Sequence, residues 1–437
     1  MAYIVDLQAS WILDSRGLPT VNCIAVLDQN GKKISAKASV PSGASTGTYE
    51  ALEMRDGDKD FHGKGVQKAI NNINTIILEK VLNKEFTSAL DVDNLILSLD
   101  TSGNKSQLGA NAILAVSMAV HRAFAKMAGL ELWQYLRRLY FSTLPATPRF
   151  PRLMCNVLNG GKHADNGISI QEFMIVPNSG NILKDVQIAS EIYHSLKKIL
   201  HASGKSTALG DEGGFASSFN DSTDGKNNEN YFQDSSKIPT ERVLDYLMDA
   251  IVQSGYSQIN CELALDAAAN EFFVPEKNIY IVDNQEFNQT TLTELYKKLV
   301  DNYPLISIED GFSEDDILGW QVMTEMLGKK THLIGDDLFV TNPERFEKVG
   351  LQNKIANGVL IKLNQIGSVS ETCTMINKAK DHQYITVVSH RSGETTDDFM
   401  SDLAFAAQSE FIKLGAPARG ERVAKYNRLL EIYHSLR

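Results

Sequence analysis

The chain of 437 residues has little cysteine, no excess of positive charge and no long apolar run. Its four cysteines form no CxxC pair, and they stand at Cys23, Cys155, Cys261 and Cys373. This spacing argues against a zinc ribbon or a disulfide scaffold. It is typical of a protein from a reducing compartment.

The net charge of −11 argues against a nucleic-acid partner recognised through overall basicity. No apolar run is long enough to cross a bilayer. The first residues, MAYIVDLQASWILDSRG, contain no basic segment followed by an apolar core, as a secretory signal would. We therefore expect a cytoplasmic protein without membrane insertion and without a nucleic-acid partner.

The pattern of the chain predicts two domains. In residues 1–140, two β-rich runs joined at residues 29–31 (QNG) precede a long stretch of helical periodicity, which indicates an α+β domain. Three prolines between residues 145 and 151 mark the expected boundary. In residues 150–437, strand and helix patterns alternate, which indicates an α/β domain. The polar segment Phe219–Lys237 is expected to be a surface insertion.

Five short apolar runs in the second domain each end in charged residues. These residues are Asp266, Glu309, Asp336, Lys362 and the group His390, Arg391 and Ser392. The runs recur at intervals of roughly 25 to 45 residues, which suits the repeating unit of a (β/α)₈ barrel. Because active sites of such barrels lie at the carboxyl ends of the strands, these side chains are expected to converge on one pocket.

The three acids of this series predict a metal site. Neighbouring carboxylates repel one another, and a hard cation such as Mg²⁺ relieves that repulsion through oxygen ligands. For any one of Asp266, Glu309 and Asp336 taken alone, a helix cap or a salt bridge is an equally good interpretation. Three acids in register at strand ends favour the metal.

Lys362 lies within an otherwise apolar run, and lysine is seldom buried without a partner. Beside a cation its pKa would fall, and a neutral amine could act as a base. The alternative is a salt bridge at the barrel rim. Arg391, Ser392 and Lys413 could hold an anionic substrate, although Lys413 alone also suits a solvated surface position.

Two glycine-rich loops complete the candidate set. Residues 210–214 (GDEGG) present Glu212 on a sharp turn, where a carboxylic acid could act as a general acid or simply be part of an acidic loop. Residues 159–166 (NGGKHADN) resemble a P-loop only superficially, because His163 stands where serine or threonine is required. The segment at residues 204–206 also lacks the first P-loop glycine, and no HExxH zinc motif occurs.

Long blocks of the sequence closely resemble the enolase family, in particular its bacterial members. They run nearly end to end: SVPSGASTG, YEALEMRDGD, NVLNGGKHADN, QEFMIVP, GDEGGFA, SIEDGF, GDDLFVTNP, IKLNQIGS, VVSHRSGET and GAPARGERVAKYN. The resemblance implies a small N-terminal capping domain, and a catalytic barrel with one antiparallel strand. It also implies a homodimer or a higher assembly of dimers.

The resemblance implies roles for individual residues. Glu212 would be the general acid and Lys362 the base that removes the α proton. Asp266, Glu309 and Asp336 would bind the first Mg²⁺, and Ser45, on a lid loop, would reach a second Mg²⁺ that arrives with substrate. The residues expected to contact substrate or support catalysis are His163, Gln171, Glu172, Lys362, His390, Arg391, Ser392 and Lys413. Of these, Arg391 and Ser392 would hold the phosphate, and Lys413 the carboxylate.

The implied reaction is the reversible dehydration of 2-phosphoglycerate to phosphoenolpyruvate. A lysine base with Mg²⁺ is the known pattern of sites in the enolase superfamily. Two alternatives remain open on the sequence. One is a protein with an enolase-like scaffold and a surface or partner-binding role, which family likeness alone suggests. The other is a related dehydratase for acid sugars, against which the GDEGG and SHRSGET blocks argue.

Overall fold

A computed structural model describes residues 1–43, 47–145, 148–219 and 237–437. The chain begins with an antiparallel sheet, ordered β3-β2-β1-β4. Its strands are β1 (Ala2–Leu13), β2 (Pro19–Gln29), β3 (Lys32–Ser39) and β4 (Glu85–Phe86). Strands β2 and β3 follow the two predicted β-rich runs, and β1 was not predicted. The two-residue β4 lies inside the stretch predicted to be helical, where it pairs with the start of β1.

The turn between β2 and β3 has the predicted form. Asn30 and Gly31 both have positive φ, at 55° and 83°, so a two-residue loop joins the strands. Asparagine and glycine tolerate this conformation, and its twist matches that of paired strands. The register continues from Gln29↔Lys32 to Asn22↔Ser39.

The helices of the N-terminal part pack against this sheet. They are α1 (Gln67–Asn72), α2 (Leu78–Val81), α3 (Ala89–Ser98), α4 (Ala110–Met127) and α5 (Leu132–Tyr140), with a π-helical turn over Ile73–Ile77. Nearly every residue of α4 is buried, because it lies between the sheet and the second part of the chain. Helix α5 ends at Tyr140 and the next strand begins at Arg152. The exact domain boundary stays a prediction.

The second part contains a closed eight-stranded barrel, as predicted, ordered β11-β12-β13-β14-β15-β5-β6-β7. The strands are β5 (Arg152–Asn159), β6 (Glu172–Pro177), β7 (Cys261–Asp266), β11 (Leu305–Glu309), β12 (His332–Gly335), β13 (Gly358–Ile361), β14 (Ile385–Ser389) and β15 (Phe411–Lys413). Strand β6 runs antiparallel to both β5 and β7, and the other pairs are parallel. The first residue of β6 therefore lies at the same rim as the last residues of its neighbours.

A small three-stranded sheet explains the longest interval in the predicted barrel series, between Asp266 and Glu309. It consists of β8 (Phe273–Val274), β9 (Ile279–Val282) and β10 (Gln285–Phe287). The barrel helices are α6 (Ile182–Ala202), α7 (Pro239–Gln253), α8 (Gln289–Asn302), α9 (Ile317–Leu327), α10 (Pro343–Arg345), α11 (Leu363–Ile366), α12 (Val369–Asp381), α13 (Phe399–Ala406) and α14 (Gly420–Ser435). A π-helical turn over Phe346–Leu351 follows α10.

The barrel interior is filled by side chains. They form a compact buried cluster of Met154, Met174, Val176, Ala264, Ile334, Leu360, Val387 and Phe411. These residues alternate along the strands with ones that face the surrounding helices, as the period of two requires. The filled interior leaves the carboxyl-terminal rim as the place for a cavity.

Charged and polar contacts join the two parts of the chain. Arg122 of α4 makes paired hydrogen bonds with Asp397, at 2.5 and 2.8 Å, and Lys105 lies 2.9 Å from Glu371. Ser42 pairs with Gly393 in an isolated antiparallel bridge. The joint lies beside the carboxyl-terminal rim of the barrel, because residues 389–398 follow β14 directly.

Within the described residues, no single helix is both long and apolar enough to cross a membrane. Only the pair α4 and α5 passes such a test together, and it is bent by 101°. Between Phe219 and Lys237, the polar segment predicted as a surface insertion lies outside the described residues.

Candidate active site

Strand register brings three acids together at the carboxyl-terminal rim. Asp266 ends β7 and is in register with Glu309, which ends β11. On its other side Asp266 is in register with Glu172, which begins the antiparallel β6. The sequence series predicted two of these neighbours from strand ends. Glu172 joins them because β6 is reversed.

Lys413 is the shared partner of these acids. Its Nζ lies 2.9 Å from Asp266 Oδ2, 2.9 Å from Glu309 Oε2 and 3.2 Å from Glu172 Oε1. All four side chains are buried. Burial alone would lower the pKa of Lys413, but the three carboxylates outweigh it and hold the pKa well above its ordinary value. The solvated surface position considered for Lys413 is therefore wrong, because β15 carries it into the barrel rim.

The acids around Lys413 are under electrostatic strain. Burial, with Asp266 adding to it, raises the pKa of Glu309 well above its ordinary range. Burial and the Glu212 carboxylate do the same for the pKa of Glu172. The single ammonium of Lys413 does not neutralise the three carboxylates, so additional positive charge at this site would be stabilising.

Lys362 and Asp336 form a second ion pair on the neighbouring strands. Asp336 follows β12 and Lys362 follows β13, and the Lys362 Nζ bonds Asp336 Oδ2. The other oxygen of Asp336 accepts an N–H from Gln365 at 2.8 Å. Burial alone would lower the pKa of Lys362, but Asp336 raises it more. The sequence predicted a lowered pKa for Lys362. This lowering requires a cation bound to Asp336, because the free Asp336 carboxylate stabilises the Lys362 ammonium.

Glu212 lines the same cavity, on the GDEGG loop. Its Oε2 accepts an N–H from Asn156 at 2.9 Å and lies 3.3 Å from His390 Nε2. Its Oε1 lies 3.9 Å from His163 Nδ1. His163 is also 3.7 Å from Glu172. The two imidazoles thus flank the carboxyl group that was predicted as the general acid.

The charge of Glu212 depends on its burial and on whether the neighbouring His390 ring is protonated. Burial raises the pKa of Glu212, and charged rings at His390 and His163 would lower it to well below its ordinary range. That lowering by His390 requires a protonated ring. Because burial takes the pKa of His390 to about 4, the ring is neutral at pH 7 and its contribution is absent. We therefore expect Glu212 to hold a proton more readily than a carboxylate beside a charged His390 would.

Arg391 and Ser392 follow β14 and line the same cavity. The Arg391 guanidinium bonds Glu50 at 3.0 and 3.2 Å and Asn364 at 3.2 Å. Gln171 donates to Asp266 at 3.5 Å, from the turn that precedes β6. A buried cation beside a cavity suits the recognition of an anion.

One cavity collects nearly all of the predicted site residues. Those that line it are His163, Gln171, Glu172, Glu212, Asp266, Asp336, Lys362, His390, Arg391, Ser392 and Lys413. Glu309, 2% exposed, reaches this group through Lys413. Ser45, the predicted ligand of a second metal, lies outside the described residues. The structure therefore places twelve of the thirteen predicted residues at one rim.

The chemistry of the cavity fits a divalent cation. Its lining holds more carboxylic acids than cationic side chains, and carboxylate oxygens are the ligands that hard cations prefer. In the described residues there are two acid-rich groups, and within each the possible ligand atoms lie within 4.8 Å of one another. One is His163, Glu172 and Glu212, and the other is Asp310, Asp336 and Asp337. The predicted trio of Asp266, Glu309 and Asp336 is not such a group: Lys413 contacts both Asp266 and Glu309, and Lys362 pairs with Asp336.

Sequence reasoning missed three contributors. Asp310 accepts the backbone N–H groups of Asp336 and Asp337, both at 2.8 Å, and so shapes the loop after β12. Asn156 and Arg422 contact Glu212 and His390, respectively. Asp310 lies in the SIEDG block and Arg422 in the GERVAKYN block, but nothing in their spacing distinguished them from ordinary polar residues.

Comparison with known protein families matches both parts of the chain. Residues 4–136 match the family described as "Enolase, N-terminal domain", and residues 148–437 match "Enolase, C-terminal TIM barrel domain". A curated protein named Enolase from Elusimicrobium minutum is 47% identical over 437 residues, covering 100% of this chain and 97% of the relative. An Enolase from a Nitratiruptor species is 46% identical over 438 residues, with the same coverage.

These matches extend over both domains and agree with the barrel, its reversed strand and the acid-rich cavity. The chain belongs to the enolase family.

Proposed function

We propose that this chain catalyses the reversible dehydration of 2-phosphoglycerate to phosphoenolpyruvate, the enolase reaction of glycolysis and gluconeogenesis. The observation that carries the proposal is identity of 46–47% to proteins named Enolase along the whole chain. The enzyme is a hydro-lyase, which breaks a carbon–oxygen bond with loss of water. The alternative of a non-catalytic scaffold is not favoured, since a candidate acid and a candidate base face one cavity.

Lys362 is the proposed base that removes the proton α to the substrate carboxylate. Lys362 lines the cavity and directly follows β13, which fixes its position rigidly. Removing this proton places a second negative charge on the carboxylate, so the step requires electrostatic stabilisation that grows as the charge develops.

Glu212 is the proposed acid that protonates the departing hydroxide. It lines the same cavity as Lys362, and a substrate bound there would present its α proton and its hydroxyl to different residues. The carbon–oxygen electron pair leaves with the hydroxyl group, and the proton of Glu212 completes the water. In the reverse direction Glu212 takes a proton from water and Lys362 returns one to carbon.

The remaining residues are proposed to hold the substrate. Arg391 and Ser392 would bind the phosphate, and Lys413 the carboxylate. His163, Gln171, Glu172 and His390 would contact the substrate or support the acid. A phosphate suits a planar guanidinium, which can donate two parallel hydrogen bonds.

An enolase requires a divalent metal, and we propose two Mg²⁺ ions per site, the second arriving with substrate. Asp266, Glu309 and Asp336 would hold the first ion, and Ser45 the second. When bound, the metal would stabilise the charge that develops on the substrate carboxylate and lower the pKa of Lys362 by drawing charge from Asp336. We also propose a cytoplasmic homodimer, or a higher assembly of dimers, as in the family.

The proposal is tested with purified protein, Mg²⁺ and 2-phosphoglycerate. Formation of phosphoenolpyruvate, followed by the ultraviolet absorbance of its double bond, is the expected result. Lys362→Ala should abolish turnover while the circular dichroism spectrum stays unchanged. Lys348→Ala, which alters an exposed lysine, is the matched control and should retain full activity. A folded, Mg²⁺-loaded wild-type protein without turnover would contradict the proposal.

A further inference from the structure

Arg422 lies behind the cavity and holds two catalytic loops together. It is 0% exposed and projects from the first turns of α14. It donates to the carbonyl oxygens of Arg391 at 2.6 Å and Ser392 at 2.7 Å, which follow β14. It also donates to the Asp211 carbonyl at 3.1 Å, on the loop that carries Glu212. Its fourth contact is His390 Nδ1, at 2.7 Å.

The contact with His390 determines which ring nitrogen carries a proton. A guanidinium has only N–H donors and no acceptor, so His390 Nδ1 must present its lone pair. A neutral imidazole with an accepting Nδ1 carries its hydrogen on Nε2. We infer that Arg422 is a positioning residue that locks His390 in the Nε2–H tautomer and makes it a fixed hydrogen-bond donor into the cavity.

The Nε2 of His390 is placed for that role. It is buried, it has no well-aligned partner in the described part of the chain, and its residue lines the cavity. It lies 3.3 Å from Glu212 Oε2, the same oxygen that accepts the Asn156 N–H at 2.9 Å. A buried donor without an aligned partner is costly, and bound substrate or a small shift of Glu212 would satisfy it.

The tautomer has a consequence for the acid. With Asn156 donating to Oε2 and the Nε2–H of His390 3.3 Å from the same oxygen, a proton of Glu212 is placed on the other oxygen, Oε1. This part of the inference rests on the proposed role of Glu212 as the general acid. The transferable proton then leaves Oε1 with the departing hydroxide as water, and His390 keeps its own proton throughout.

Gly415 allows these groups to pack so closely. A Cβ at this position would lie 2.7 Å from the Glu212 carbonyl oxygen, 3.0 Å from His390 Cε1 and 3.1 Å from Arg422 Cδ. Its φ of +75° also favours glycine. The contact between Arg422 and His390 is therefore part of a tightly packed cluster that excludes water from Nδ1.

The tautomer can be measured directly in the wild-type protein. Long-range ¹H–¹⁵N correlation spectra of protein labelled with ¹⁵N-histidine, at neutral pH and without substrate, should show His390 with its hydrogen on Nε2. The signal is assigned by its loss in His390→Gln. A hydrogen on Nδ1, or a doubly protonated ring, would overturn the inference. Since this measurement needs no turnover, an inactive protein with the Nε2–H ring would refute the proposed function and support the tautomer.

Variants at Arg422 test whether this residue determines the tautomer of His390. Arg422→Gln, whose amide can accept as well as donate, should mix the tautomers and lower kcat by about tenfold to a hundredfold, with a smaller change in KM. Arg422→Lys, which can only donate, should restore the Nε2–H form and part of the rate. Arg428→Gln, on the same helix but paired with Asp402 and Glu131, is the control. A wild-type tautomer and rate in folded Arg422→Gln would contradict the assignment.

Discussion

Glu50 and Arg391 form a two-point ion pair, with Glu50 Oε2 3.0 Å from Arg391 Nη1 and Glu50 Oε1 3.2 Å from Nη2. The side chains are 7% and 3% exposed, respectively. Glu50 belongs to the N-terminal part of the chain, and Arg391 follows barrel strand β14. The pair therefore stabilises the joint between the two parts and supports the proposed phosphate site at once.

Removing Glu50 should destabilise the protein. Glu50→Ala leaves the guanidinium of Arg391 buried without this carboxylate, and breaking such a pair costs about 3 kcal/mol. Urea unfolding followed by fluorescence should show the loss. The comparison is Glu344→Ala, which breaks an exposed pair with Lys348 and should change stability by less than about 1 kcal/mol. Equal effects of the two substitutions would argue against a structural role for the buried pair.

Hydrogen exchange separates the two catalytic roles. In deuterated buffer with Mg²⁺, Glu212→Gln should still exchange the α hydrogen of 2-phosphoglycerate while dehydration falls by at least about a hundredfold. Lys362→Met should lose both, because removal of the proton precedes the loss of hydroxide. Mass spectrometry of recovered substrate measures exchange. Exchange by Lys362→Met at the wild-type rate would exclude Lys362 as the base.

Removing metal should abolish activity without unfolding the barrel. Treatment with a chelator takes away the charge that offsets the buried acids, and added Mg²⁺ should restore turnover. Asp336→Asn should raise the Mg²⁺ concentration for half-maximal activity by about tenfold or more, because it removes the negative charge of a proposed ligand. Asp249→Asn, an acid on α7 away from the cavity, serves as the control. An unchanged Mg²⁺ requirement in Asp336→Asn would contradict the ligand assignment.

His121 should make stability depend on pH. Burial lowers its pKa below the ordinary value of 6.5, with its Nδ1 2.7 Å from the Ser117 carbonyl and its Nε2 2.8 Å from the Tyr140 hydroxyl. The unfolded chain therefore takes up a proton before the folded protein does. Stability from the neutral ring is complete above about pH 6.5 and decreases as the pH falls below it.

The measurement is the difference in unfolding free energy between wild type and His121→Gln. This difference should shrink as the pH is lowered from 8 to 5, since glutamine has no proton to gain. A difference that stays constant over this range would show that His121 titrates alike in both states. The Arg122–Asp397 ion pair stays charged between pH 8 and pH 5, because burial raises the pKa of Asp397 but Arg122 lowers it more.

Much of the fold and site followed from the sequence for identifiable reasons. Charged residues such as Asp266 and Lys362 interrupt apolar runs at strand ends, and a barrel brings strand ends together. Family resemblance implied one reversed strand and a role for Glu172, but not the register that places Glu172 beside Asp266. The pairing of Lys413 with Asp266 and Glu309 could not be predicted, because it depends on side chains from three strands far apart in the chain.

The position of Arg422 could be predicted from the sequence even less well. Its contacts reach 30 to 32 residues back to the loop after β14, and 211 residues back to Asp211. No local pattern encodes these distances. An arginine in the first turn of a terminal helix is most often solvated, and only the packing of α14 against two loops buries it completely.

The contact between Ser15 and Glu394 has a consequence in time. The Ser15 hydroxyl accepts the Glu394 N–H at 3.1 Å, and the two residues are 379 positions apart. Ribosomes add about 5–20 residues per second, so roughly 20 to 75 seconds pass before the second partner exists. The first domain spends this interval with its docking face uncovered, and the cavity is assembled only after the loop that follows β14 has been made.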